Sequence, residues 1–131
     1  MNPVDYLESV RNFLLTDSHI NSHQIIREYQ DVEKIYIRVR LTFTDGSFLE
    51  FSEYIEQASR NEIKITAYSY HWSDKDGKML RRWDNTKHFP KLKNAPHHIH
   101  TPIGEAEESI TPGAPTNIFA VLDQIARIIG E

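Results

Sequence analysis

The chain has 131 residues, of which 39% are hydrophobic, so it can form one domain with one core. Its net charge of −4 argues against a general nucleic-acid binder, and the absence of cysteine excludes disulfides, thiolate metal sites and a cysteine nucleophile. No segment resembles a signal peptide or has the roughly 20 apolar residues that span a bilayer. We therefore expect a single cytoplasmic domain over residues 1–131, not embedded in a membrane.

Positive charge is concentrated in one segment of this acidic chain. Residues 75–100 carry seven Lys and Arg side chains against Asp76 and Asp84, a net charge of +5. Four of the seven histidines lie in the same segment. Lysines alone are typical of a solvated loop, but their coincidence with the histidines makes this segment the candidate functional region.

The first part of the chain predicts one helix and three strands. Asn2-Pro3 provides a capping amide and a proline in the first turn, which predicts a helix over residues 3–16. A first strand is predicted at 23–29. Apolar and polar residues alternate over 35–44, Asp45-Gly46 predicts a hairpin turn, and the chain returns as a strand over 48–55.

The next elements are a second hairpin and a long loop. Strands are predicted at 63–72 and 78–84, around an Asp76-Gly77 turn. Residues 85–116 show no periodicity and are punctuated by prolines, which predicts a long loop containing histidine and proline. Loops of this length in a small domain are usually functional or disordered.

A C-terminal helix completes the expected fold. Thr116 or Asn117 caps it, and an apolar stripe runs from Ile118 to Ile129. The fold class predicted is α+β: an antiparallel meander sheet of four to five strands, with the N-terminal and C-terminal helices packed on one face.

The second hairpin brings chemically active side chains together. A two-residue turn places His71 opposite Arg82, whereas a three-residue turn with a bulge places His71 opposite Arg81. The sequence leaves both registers open. In either register a histidine lies beside an arginine.

These residue types suit the cleavage of RNA. Histidine serves as acid or base near neutral pH, arginine grips a phosphate through two hydrogen bonds, and aspartate orients either side chain. The candidate catalytic residues are His71, Arg82, Asp84, His88, His97, His98 and His100. The candidate substrate contacts, including rings that can stack on bases, are Tyr70, Trp72, Arg81 and Asn85. The alternative is that the aromatic residues belong to the core and that Arg82 and Asp84 form a structural ion pair.

The histidine run also raises the question of metal binding. His98 and His100 are one residue apart and can reach one ion from a strand. Further ligands would come from His71, Asp84 or His88. The pattern differs from compact zinc signatures. We therefore favour catalytic or phosphate-contacting histidines and predict no metal and no cofactor.

A series of motifs extends from Tyr70 to His100. They are Tyr70-His71-Trp72, Asp76-Gly77, Arg82-Trp83-Asp84-Asn85, His88 and Pro96-His97-His98-Ile99-His100. Their order and spacing resemble the TumE-like family, the toxin components of toxin–antitoxin pairs. Lys87, Phe89 and Ile99 depart from the family pattern, so no role carries over to position 89 and one candidate phosphate-contacting lysine is absent.

The resemblance implies a toxin with an antitoxin protein as its partner. The residues themselves favour a small metal-independent endoribonuclease, with RNA as the target. The alternatives are a non-catalytic binding or regulatory module, which the negative charge favours, and a metal-binding domain; either would act through the histidine-rich segment. An exposed edge strand is compatible with a homodimer.

Overall fold

The computed structural model describes residues 1–105 and 107–130, which form one antiparallel sheet and two helices. The order of the strands in the sheet follows their order in the chain, so the sheet is a meander. The elements are α1 (Pro3–Thr16), β1 (Ile20–Gln30), β2 (Lys34–Phe43), β3 (Phe48–Ser59), β4 (Glu62–Ser73), β5 (Met79–Asp84), β6 (His98–Ile103), β7 (Glu107–Pro112) and α2 (Ile118–Gly130).

Local signals explain where α1 begins and which face it buries. The side chain of Asn2 accepts a hydrogen bond from the Asp5 amide at 2.8 Å, and Pro3 takes the first helical position. The apolar side chains of the helix recur every three or four residues, so they form one stripe. That stripe is buried against the sheet and consists of Tyr6, Leu7, Val10 and Leu14.

The sheet has one core face and one polar face, because successive side chains of a strand point to opposite sides. In β2 the odd-numbered residues from Ile35 to Phe43 are buried in the core, and Arg38 and Arg40 lie between them on the exposed side. The same alternation continues in β3 and β4, where Phe51 pairs with Tyr70 on the core face.

The two helices pack together on the core face. Phe119 of α2 meets the rings of Tyr6 and Phe13 edge-on, at centroid distances of 5.8 and 5.5 Å. The Ile118 amide, at the start of α2, donates to the buried carboxylate of Glu53 at 2.9 Å. This bond fixes the start of the C-terminal helix against β3. Neither helix in the described part of the chain is long and apolar enough to cross a membrane.

The α+β class, the antiparallel meander and the helix at each end are confirmed. The expected four to five strands are wrong, because the sheet has seven. The difference arises in the segment 85–116, which the sequence predicts to be a loop but which contains β6 and β7. In β6 the buried positions are His98 and His100 rather than apolar residues, so its alternation is invisible to a hydrophobicity pattern.

Candidate functional site

A row of polar side chains crosses the polar face of the sheet. His71 in β4 pairs with Arg82 in β5, and Arg82 pairs in turn with His100 in β6. One step along the strands, on the same face, Asp84 pairs with His98. The strands therefore bring five of the predicted catalytic residues together.

The hairpin combines features of both registers that the sequence allowed. Near the turn, Ser73 pairs with Met79, which corresponds to a three-residue turn. A bulge between the Trp72 and Ser73 pairs then shifts the register by one residue, so His71 lies opposite Arg82.

Asp84 is the centre of a buried polar cluster, which we define as Asp84, His98 and His100. Its Oδ1 lies 2.8 Å from His98 Nε2, and its Oδ2 lies 3.3 Å from His100 Nε2. Arg82 Nε lies 3.0 Å from the same Oδ2. The exposed fractions of Asp84, His98 and His100 are 1%, 2% and 8%.

Outer contacts fix the orientation of both imidazole rings. Nδ1 of His98 lies 2.8 Å from the carbonyl oxygen of Pro96, and Nδ1 of His100 lies 2.8 Å from Oε1 of Glu108. A carbonyl or carboxylate oxygen only accepts hydrogen bonds, so each Nδ1 carries a proton and donates. The Nε2 atom of each ring therefore faces Asp84.

The segment between β5 and β6 covers the cluster. The Phe89 ring meets His98 edge-on at a centroid distance of 4.9 Å and lies 6.2 Å from His100. The Thr86 amide and hydroxyl donate to Asp84 Oδ1 at 3.1 and 2.9 Å. Burial tends to raise the pKa of Asp84, but these hydrogen bonds, His98 and Arg82 together lower it.

His71 and Arg82 line two clefts on the polar face. The smaller cleft, of about 330 Å³, lies towards β2 and also contacts Arg38 and Glu50. The larger, of about 800 Å³, lies towards β7 and also contacts Glu108. Burial and the nearby Arg82 charge lower the pKa of His71, so its ring is more readily neutral near pH 7.

The structure places the other predicted catalytic histidines outside this cluster. His97 stacks on Tyr68, with 2.7 Å between its Nδ1 and the tyrosine hydroxyl, beside a separate cavity that also contacts Tyr6 in α1. His88 is exposed in the segment between β5 and β6.

The residues predicted to contact substrate are engaged in contacts within the protein. Tyr70 is fully buried and donates to Glu53, while Trp72 is buried and donates to the Ser47 hydroxyl at 3.0 Å, so neither ring has an exposed face for a base. Arg81 lies over the Trp83 ring, at 5.6 Å from its centroid. The Asn85 side chain accepts from the Tyr68 amide and donates to the Thr66 carbonyl, which completes the edge of β4.

Sequence reasoning missed Glu108, Phe89 and Arg38. Glu108 lies in β7, which gave no strand pattern, so no signal pointed to it. Arg38 carried a weak signal, because it lies on the exposed side of the alternating β2 and shares a row with Ser52, Ser69 and Asp84.

Residues 10–131 match the protein family described as Toxin TumE, which covers nearly the whole chain. The chain belongs to the TumE family. Membership confirms the resemblance seen in the motifs and indicates a toxin of a toxin–antitoxin system. No curated protein and no solved structure gives a significant match.

Proposed function

We propose that this TumE-family toxin cleaves RNA on the polar face of its sheet, with His71 and Arg82 contacting the substrate. The observation that carries the proposal is that these two residues lie opposite each other and line both clefts. A phosphate placed between the clefts meets a histidine and a guanidinium together.

Each side chain is suited to its part of the reaction. Arg82 contacts Asp84 through Nε, and no other ion pair within the described residues involves it. Its side chain is 39% exposed, so its terminal nitrogens can grip a phosphate. His71, with a lowered pKa, is ready to accept a proton at neutral pH.

The proposed step is an attack by the ribose on its own phosphate. His71 takes the proton of the 2′-hydroxyl, the 2′-oxygen bonds to phosphorus, and the bond from phosphorus to the 5′-oxygen breaks. The products are a 2′,3′-cyclic phosphate and a 5′-hydroxyl, which takes its proton from water in the open cleft, and the protonated His71 returns its proton to the hydroxide that forms. Arg82 stabilises the negative charge that builds on the phosphate.

The surrounding charge favours a phosphate backbone on one side of the face. Arg38 lines the smaller cleft. The segment between β5 and β6, which covers the polar cluster, carries three exposed lysines, Lys87, Lys91 and Lys93. Contacts from lysine and arginine to phosphates supply most of the sequence-independent affinity for nucleic acids.

An antitoxin that covers this face would block access of the substrate. We place both the toxin and the antitoxin in the cytoplasm.

A second candidate function is the binding of a protein target without catalysis. It is favoured by the acidic lining of the larger cleft, which includes Asp74, Glu105, Glu107 and Glu108. These carboxylates repel a phosphate backbone and attract a basic partner.

The test compares RNA cleavage by the purified tag-free chain and by three variants. His71→Ala removes the base and is expected to slow cleavage by roughly 10²–10⁴-fold. Arg82→Lys keeps the positive charge but loses the bidentate hydrogen bonds to phosphate, so the rate of cleavage should also fall. His97→Ala is the matched control, because His97 lies away from the polar cluster beside Tyr68.

The products and a growth assay separate the two candidate functions. End-labelled RNA should yield fragments with 2′,3′-cyclic phosphates from the intact chain and the control. Equal cleavage by the intact chain and His71→Ala would exclude the proposed role of His71. Growth arrest on expression, with RNA left intact, would favour the binding function.

A further inference from the structure

We infer that the polar cluster binds one divalent transition-metal ion through a carboxylate oxygen of Asp84 and the Nε2 atoms of His98 and His100. The inference concerns binding of the ion and holds whether or not the chain cleaves RNA. It departs from the sequence-based expectation of no metal, which rested on the lack of a compact zinc signature.

The spacing of the ligand atoms fits a shared ion. One atom from each of the three side chains lies within 4.8 Å of the others. The contacts from Asp84 to His98 and His100 are 2.8 and 3.3 Å. Two ligands bonded to one ion at about 2.0–2.1 Å are about 2.9–3.4 Å apart at octahedral or tetrahedral angles. The two contacts from Asp84, one to each carboxylate oxygen, therefore match the separation of ligands that share an ion to within about 0.1 Å.

The protonation pattern of the His98 and His100 rings also fits a metal site. Because Nδ1 of each histidine donates to Pro96 or Glu108, Nε2 of each neutral ring carries a lone pair. Metal-bound histidines almost always donate their second nitrogen to a carbonyl or a carboxylate in this way, which fixes the tautomer. The Nε2 lone pair of each ring is therefore available to bond a metal ion beside the Asp84 carboxylate.

A buried salt bridge alone accounts less well for the geometry. Three polar atoms, His98 Nε2, His100 Nε2 and Asp84 Oδ2, are buried, and none has a hydrogen-bond partner of acceptable geometry within residues 1–105 and 107–130. The nitrogens are at hydrogen-bond distance from the carboxylate, but a proton on Nε2 would not point at the oxygen. Such unsatisfied buried groups are rare in proteins and call for a ligand.

The ligand chemistry indicates which ions fit. Two imidazoles and one carboxylate suit zinc, iron, cobalt or nickel, whereas magnesium and calcium prefer oxygen ligands. Three protein ligands leave a coordination position for water or a substrate. The positive charge of Arg82 at the same carboxylate opposes the ion, so we expect weaker binding than at a four-ligand structural zinc site.

The experiment measures metal binding by the full chain, prepared without a histidine tag and stripped with a chelator. A calorimetric titration with Zn²⁺ should show one saturable site per chain. Co²⁺ should give visible absorption bands that saturate at the same ratio, and Mg²⁺ should not bind. Failure of both Zn²⁺ and Co²⁺ to bind the folded chain would overturn the inference.

Variants assign the binding to the cluster. Asp84→Asn and His98→Ala should abolish binding, with folding checked by circular dichroism. Glu108→Ala changes a side chain that is 47% exposed, so it should fold normally and weaken Zn²⁺ binding by roughly 10–100-fold through the loss of its bond to His100. His97→Ala is the control and should bind as the intact chain does. Binding unchanged in folded Asp84→Asn and Glu108→Ala would place the ion elsewhere and refute the site.

Discussion

Glu53 offers a sharp test of how the core face is built. Its carboxylate is fully buried and accepts three hydrogen bonds, from the hydroxyls of Tyr6 and Tyr70 and from the Ile118 amide. Each buried donor left without an acceptor costs about 1–3 kcal/mol. Glu53→Ala leaves all three buried donors without an acceptor, so we expect it to lower the free energy of unfolding by at least about 3 kcal/mol.

Glu53→Gln should behave differently, because its carbonyl oxygen can keep the two bonds from Tyr70 and Ile118. Burial raises the pKa of Glu53 above its ordinary value of 4.5, against the opposing effect of the three hydrogen bonds. Between pH 4.5 and the raised pKa, the Glu53 side chain is ionised in the unfolded chain but still protonated in the folded chain. Raising the pH in this range therefore favours unfolding, and the free energy of unfolding falls by up to about 1.4 kcal/mol per pH unit. The glutamine variant lacks this loss.

Urea denaturation at a series of pH values from 4.5 upward measures the effect. The buried Trp72 and Trp83 provide the fluorescence signal. The free energy of unfolding of the intact chain should decline with pH relative to that of Glu53→Gln. Both proteins have the same histidines, so subtracting one profile from the other removes the contribution of the histidines. Parallel pH profiles for the two proteins would refute the claim that Glu53 is harder to ionise in the folded state.

Three further substitutions test separate parts of the fold. A Cβ at Gly113 would lie 3.1 Å from the His98 amide nitrogen, so Gly113→Ala should displace β6 and weaken Zn²⁺ binding in the calorimetric titration. Asn85→Ala removes the acceptor of the Tyr68 amide and should lower the free energy of unfolding by about 1–3 kcal/mol, measured in urea. Gly77 has a φ of +88°, so Gly77→Ala should cost about 1–2 kcal/mol, seen as a lower melting temperature; no change would exclude strain at this turn.

The elements with clear physical signals could be predicted from sequence. The cap at Asn2 and Pro3 placed α1, and the alternation over 35–43 placed β2, because both signals are local. The strands β6 and β7 could not be found in the same way. The buried residues of β6 are histidines, and β7 is a largely exposed edge strand that needs no apolar alternation.

The candidate site was predictable as a set of residue types but not as an arrangement. The motif pointed to His71, Arg82 and Asp84, and the structure places them on one face. It could not show that His97 and His98 point to different surroundings, because that depends on the strand that begins between them. The role of Glu108 required the pairing of β6 with β7.

The meander order of the sheet has a consequence for how this protein can vary. Asp84, His98 and His100 all lie in the neighbouring strands β5 and β6, so one short stretch of chain holds the whole polar cluster. The walls of the smaller cleft come from β2, β3 and β4, with Arg82 of β5 as the residue that also contacts the cluster. Substitutions in those earlier strands can therefore reshape the smaller cleft while the cluster stays in place. Apart from Arg82, which belongs to both, the residues that would select a target and those that would hold an ion can therefore diverge separately.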